Sequence, residues 1–394
     1  MQRFLKHYAA FFRLPGVARL LGIAFFARMP IGMMSLSMLM HLRELSGSFA
    51  FAGGMVGTYL VAMAGTAPIQ GRLVDRYGPR GVLAVTGIVH PAALAVLLFA
   101  APLQLPLAAI APFTMLAGAF VTPISVLTRT LWRHRFEDAT ERRTAFAIDT
   151  VLIEINFTIG PALIGLMLLL GKPVDAFAIT WITAASAAPL FIFSGAPRYW
   201  KHADAGDRHL LGPLTDRRLL VVYATSGALT FAFGMLEVGY PGFAARTGVI
   251  ALGGALLAVC SIGSASGGIV YGGLHLALPL ERQLPRLLLA FGVLLGAHAF
   301  AQSPWLLGVL AFGAGITIAP ALTVLSLLVT QQAPARYATE AFTWMSTCIV
   351  VGIGAGMAVG GQLVEAVGPW AAFAIGGGAS ILAAFIAFRL RPRT

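Results

Sequence analysis

Charge is scarce in this sequence. Asp, Glu, Lys and Arg make up 11% of its 394 residues, where a soluble domain carries about a quarter, so a water-covered surface is excluded for most of the chain. Lysine is nearly missing, present only as Lys6, Lys172 and Lys201, and the arginine excess points to a GC-rich bacterial source. Cysteine occurs only as Cys260 and Cys348, both inside apolar stretches, which excludes a disulfide framework. His41, His90, His275 and His298 are scattered over four apolar stretches or their ends with no ligand spacing, so no metal is expected. No phosphate-cradling G-x4-G-K-[ST] loop and no nucleophile–base constellation occurs. Neither an ATP-driven pump nor an enzyme is expected, and no cofactor is implied.

Apolar residues fill the space that charge leaves, at 58% of the chain. A membrane-spanning helix needs about 20 predominantly apolar residues. Twelve such stretches occur, at 17–42, 50–71, 82–101, 106–128, 145–170, 174–195, 219–243, 250–274, 285–302, 305–329, 341–365 and 369–388. They are apolar all round and do not alternate, which favours helices over the strands of a barrel. The first follows a basic arm and lacks a small-residue cleavage site, so it is expected to be retained.

The net charge of +12 acquires its meaning from its placement. With the N-terminus inside, 23 of the 27 Lys and Arg residues fall on the inner side, Arg43, Lys172 and Arg246 fall outside, and Arg28 lies within a span. This asymmetry orients the chain with both termini cytoplasmic. It reports contact with anionic lipid, not a nucleic-acid partner.

The longest polar stretch, residues 195–218, separates the sixth and seventh apolar runs and reads as a cytoplasmic linker. The two sides repeat each other. Gly118 to Pro123 returns as Gly315 to Pro320 at an offset of 197, Gly160 and Gly165 return as Gly356 and Gly361 at 196, and Gly71 returns as Gly272 at 201. The expected fold is therefore an all-α membrane protein of twelve helices in two pseudo-symmetric bundles, 1–195 and 219–394, joined by a linker at 196–218.

Where the second span ends, the chain reads Gly71-Arg-Leu-Val-Asp75-Arg76-Tyr-Gly78-Pro-Arg80. With twelve spans and a 6+6 repeat, this loop resembles the G-x-L-x-D-R-x-G-x-R signature of the major facilitator superfamily over nearly the whole chain. The resemblance implies alternating access, with this loop latching the two halves together on the cytoplasmic side. Gly71 would allow a close helix approach, Asp75 would meet a helix N-terminus, and Gly78 would turn the chain. The expected partner is the start of span eleven, around Arg336, Thr339 and Glu340. Span five, with Gly160-Pro161 and Gly165, is similar to half of a motif of proton-linked drug antiporters. Asn156 and Ile164 depart from it, and Thr114 stands where such antiporters carry an arginine.

Ionisable side chains at membrane depth are costly and mark function. Arg28 and Glu154 lie at similar depth in spans one and five, which predicts a pair between them that contacts substrate or a gate. Glu237, without a basic neighbour in sequence, is the first expectation for proton coupling and Asp149 the second, with Glu154 the third acid of that set. Spans one and seven suggest a polarizable cavity wall of Phe25, Met29, Met33, Phe231 and Tyr240, suited to a lipophilic or amphipathic solute. Pro123, Gly160, Pro161 and Pro320 are expected hinges. The reading is a monomeric secondary transporter of the bacterial inner membrane, exporting a small organic solute with proton exchange. Uptake of a metabolite and a non-transporting sensor are the alternatives.

Overall fold

A computed structural model describes residues 11–195, 212–273, 278–333 and 338–389. Thirteen long helices make twelve spans. They are α1 (Val17–Ser46), α2 (Phe49–Tyr77), α3 (Pro79–Leu98), α4 (Leu107–Ala119), α5 (Ile124–Arg135), α6 (Ala139–Leu170), α7 (Pro173–Phe193), α8 (Arg217–Thr247), α9 (Ala251–Gly273), α10 (Leu280–Ala297), α11 (Pro304–Gln332), α12 (Ala338–Ala366) and α13 (Pro369–Ala387). The seams between them follow from local chemistry. Gly47 (φ 73°) ends α1 in the left-handed region, its N–H donating to the Arg43 carbonyl at 2.8 Å, and Ser48 then caps α2 by accepting from the Phe51 N–H. Proline opens α3, α7, α11 and α13, where its missing N–H costs nothing.

The helices form two bundles with matching internal contacts. In the first, α1 packs on α7 and α6, α2 on α4, and α3 on α7 and α4. In the second, α8 packs on α13 and α12, α9 on α11, and α10 on α13 and α11. Each contact of one bundle thus has its counterpart six spans later. The bundles meet along α2 against α12 and α6 against α9, two seams that the same repeat exchanges.

The repeat reaches down to backbone contacts. A Cβ on Gly118 would strike the Tyr59 carbonyl of α2, and one on Gly315 would strike the Cys260 carbonyl of α9. Bare backbone is required at both places so that neighbouring helices can close up.

The repeat fails at span four. Helix α4 stops at Ala119, and α5 starts after Pro123, itself at φ −80° and ψ 47°. Its counterpart Pro320 lies inside the unbroken α11, as Pro161 and Gly160 lie inside α6. Of the four expected hinge positions, only Pro123 therefore marks an actual break. A proline leaves the carbonyl four residues earlier without a donor. For Pro123 that carbonyl is Ala119, and it accepts from Thr66 Oγ1 and Gln70 Nε2 of α2, both at 2.8 Å. For Pro320 it is Ile316, against which the Cβ-less Gly267 of α9 closes.

The two pieces of span four belong to different neighbours. Helix α4 packs on α2 and α3, whereas α5 packs on α1, α6 and α7.

Candidate functional site

Between the bundles lies a cavity of about 480 Å³, within the range of small-molecule sites. Every bundle helix near the axis contributes a face. From α1 these are Ala27, Pro30, Ile31, Met34 and Ser35, spaced as one helical stripe. From α8 they are Leu229, Thr230, Phe233 and Glu237. Tyr59 and Met63, His90, Thr122 at the break of span four, Phe157 and Pro161 complete the first-bundle side. Cys260, Ser261 and Ser264 of α9 and Thr323 and Ser326 of α11 line the other.

Glu237 is the one charged side chain among the described lining residues. Its Oε2 is buried and has no hydrogen-bond partner. Thr122 Oγ1, in the broken segment, is likewise buried without a partner, so irregular backbone at membrane depth faces the cavity and not lipid.

Arg28 and Asp149, also at membrane depth, form a pair apart from the cavity wall. Arg28, fully buried, holds Asp149 with two hydrogen bonds, Nη1 to Oδ1 at 2.7 Å and Nη2 to Oδ2 at 3.2 Å. Trp132 of α5 donates its indole N–H to the same Oδ1 at 3.1 Å. This corrects the expected partnership of Arg28 with Glu154. Asp149 is five residues nearer the basic end of α6, about 7.5 Å along a helix, and a long arginine side chain leans toward that end. Asp149 therefore has its carboxylate engaged on both oxygens, and Glu237 does not. The side chain of Glu154 lies outside the described residues.

The expected aromatic and methionine wall is displaced by one helical face. Met33 and Tyr240 are fully buried in helix packing, and Tyr240 donates to His298 Nε2 at 3.0 Å, away from the cavity. Phe25, Met29 and Phe231 also lie off the lining, where Met34, Ile31 and Phe233 stand instead. Apolar residues surround each of these helices, so composition alone could not choose the stripe. In the sequence His90 is one of four scattered histidines, and Ser261, Thr323 and Ser326 belong to no motif. Their only signal is polarity at helical spacing within an apolar run.

The bundles are sealed at the end away from the arginine-rich loops. There a Cβ on Gly57 would lie 2.7 Å from the Gly354 carbonyl oxygen, and one on Gly254 would lie 2.5 Å from the Gly165 Cα. Glu365 of α12 accepts from Ser48 Oγ and from the Ala50 N–H at 2.8 Å, at the start of α2. At the basic end, Gly65 and Gly71 of α2 meet nothing within 4 Å. Gly71 therefore makes no close approach in this state, contrary to expectation, because the seams close at the opposite end. Gly78, at φ 79°, is the residue between α2 and α3. Arg76 lies over the exposed Tyr77 ring at 5.3 Å, and Arg80 is exposed. The Asp75 side chain, Arg336 and the side chains of Thr339 and Glu340 lie outside the described residues.

Among the solved structures that share this architecture are two of one protein. One, titled nucleoside transporter NupG, covers 96% of this chain and 100% of its own at TM-score 0.73 and 16% identity. A point mutant of the same protein covers 94% and 98% at TM-score 0.77 and 14% identity. No curated protein matches the sequence. The family model described as Major Facilitator Superfamily matches residues 20–294, well over half of the 394 residues, and the chain belongs to that superfamily.

Proposed function

We propose that the chain is a secondary transporter that takes up a small metabolite, about the size of a nucleoside, together with protons. The observation that carries this reading is the unpartnered Glu237 carboxylate on the wall of a cavity enclosed between two bundles. An acid without a hydrogen-bond or ion partner at membrane depth is costly to keep, and reversible protonation gives it a use. The similarity to a nucleoside transporter favours a metabolite of that size over a lipophilic solute. In this reading Asp149 and Arg28 fix the first bundle, and Glu237 binds the proton. The loop of Gly71, Asp75, Arg76, Gly78 and Arg80 latches the basic end when the far end opens. Glu154 is assigned to proton coupling as a further acid. The protein works as a monomer in the bacterial cytoplasmic membrane with both termini inside.

A second reading, export of a lipophilic or amphipathic solute, is favoured by the apolar part of the wall, Ile31, Met34, Leu60, Met63, Phe157 and Phe233.

The test begins with thermal-shift screening of purified protein against a solute library. Each hit is then followed into proteoliposomes with and without a pH gradient. Accumulation driven by protons entering with the solute is expected. Expulsion of solute against proton entry would select the second reading, and flux indifferent to the gradient would remove proton coupling.

A further inference from the structure

Four of the five hydroxyls described on the second-bundle side of the cavity have already used their protons. Thr230 donates to the Ser226 carbonyl at 2.9 Å, Thr323 to Ala319 at 2.8 Å and Ser326 to Leu322 at 2.8 Å. Ser261 donates across the bundle seam to the Phe157 carbonyl at 3.1 Å. A hydroxyl has one proton and two lone pairs, so each of these four presents only acceptor capacity to the cavity. Glu237, when ionised, is an acceptor on both oxygens. His90 adds another, because its Nδ1 lies 2.8 Å from the Ala117 carbonyl and so carries the proton of the neutral ring, leaving Nε2 as a bare acceptor. Ser35, Tyr59, Thr122 and Ser264 keep hydroxyls able to donate, but none carries a charge, so Glu237 is the one described charge on the wall. No lysine or arginine is found among the described lining residues, and Arg28 is bound to Asp149.

From this imbalance we infer that the transported solute is an organic cation bearing a protonated amine, whose N–H groups dock on the acceptor wall of Glu237, Thr230, Ser261, Thr323 and Ser326. The inference rests on the transport reading above and narrows it to one chemistry: the proton that Glu237 binds passes to the amine of the solute, leaving the ionised carboxylate against an ammonium. An ammonium brings up to three donors and no acceptor, which matches a wall of the opposite kind, and charge-assisted hydrogen bonds are about twice as strong as neutral ones. The apolar stripes of α1 and α2 take the rest of the molecule. An anionic solute would place like charge beside Glu237 with no cation to offset it.

The test uses full-length protein in nanodiscs at neutral pH and four probes with one phenylethyl body. These are 2-phenylethylammonium, 2-phenylethanol, 3-phenylpropanoate and the quaternary trimethyl(2-phenylethyl)ammonium. The primary ammonium is expected to bind at least about tenfold more tightly than the alcohol. The quaternary ion, which keeps the charge but has no N–H, should fall between them, and the carboxylate should not bind. Glu237→Gln should bring the ammonium-to-alcohol ratio to about one. Thr323→Val with Ser326→Ala should erase the advantage of primary over quaternary ion while the unfolding midpoint of each variant shows that it has folded.

Equal binding of ammonium and alcohol, preference for the carboxylate, or binding of none of the four overturns the inference. Adenosine in proteoliposomes separates the two levels. If it is carried while the ammonium has no advantage, the transport reading stands and this one falls. If the proteoliposomes move no solute of any class, the transport reading falls as well.

Discussion

Asp149 and Glu237, two acids at membrane depth, illustrate opposite solutions to the same cost. Asp149 has three hydrogen bonds from Arg28 and Trp132, and removing one partner of such a pair leaves an uncompensated charge. Arg28→Met is expected to destabilise the protein by about 3–5 kcal/mol. Arg28→Met with Asp149→Leu should recover most of that loss in the unfolding midpoint measured in detergent. Glu237 has no partner to lose. Glu237→Gln should leave the midpoint unchanged or raise it, since a neutral amide is cheaper to bury than an unpaired acid, while abolishing proton-driven accumulation. A fall in stability as large as that of Arg28→Met would show that Glu237 is a structural residue. At this scale the sequence identified the costly residues and misassigned their partners. Arg28, Asp149 and Glu237 stand out because charge is rare in the spans. The choice between Asp149 and Glu154 depended on which way an arginine side chain leans, and depth counting does not contain that information.

Among the elements, span four shows how a proline's effect is decided by its neighbours. Pro123 and Pro320 hold the same place in the repeat, yet only the first interrupts its span. The difference lies on another helix, where Thr66 and Gln70 can receive the freed Ala119 carbonyl. Thr66→Val with Gln70→Leu leaves that carbonyl without its side-chain donors, at a cost of about 1–3 kcal/mol. Hydrogen exchange across residues 119–127 should rise in this variant, and unchanged protection would mean that the break is held by other contacts. The spans themselves were legible, with ends that agree with the helices to within a few residues, because a run of apolar residues is a one-dimensional signal. Which proline breaks its helix is a property of contacts far apart in sequence.

For the whole molecule, the 6+6 repeat was visible as glycines recurring at offsets of 196–201, and the structure gives the reason. The pairs at offsets of 196 and 197 stand where helices touch backbone to backbone, so a side chain is excluded in each copy. What the sequence did not carry is which end of the seams is closed. Gly57→Leu adds a side chain where even a Cβ would lie 2.7 Å from the Gly354 carbonyl oxygen, and it should force the far end apart. Spin labels at Arg43 and Val367, with Cys260 and Cys348 replaced by serine, should report a longer distance in this variant than in its parent. An unchanged distance would show that the seam can absorb the side chain without opening.

The make-up of that far-end seal also sets what resists its opening. Bare backbone meets bare backbone along both seams, and Glu365 is the one carboxylate described in the closure. Separating the bundles there chiefly wets dry surface, with few ion pairs to break. Turnover should therefore slow in concentrated sucrose, which penalises newly hydrated surface, and respond little to ionic strength, which screens only charge. Osmotic stress, more than salt, becomes the lever on this protein's cycle.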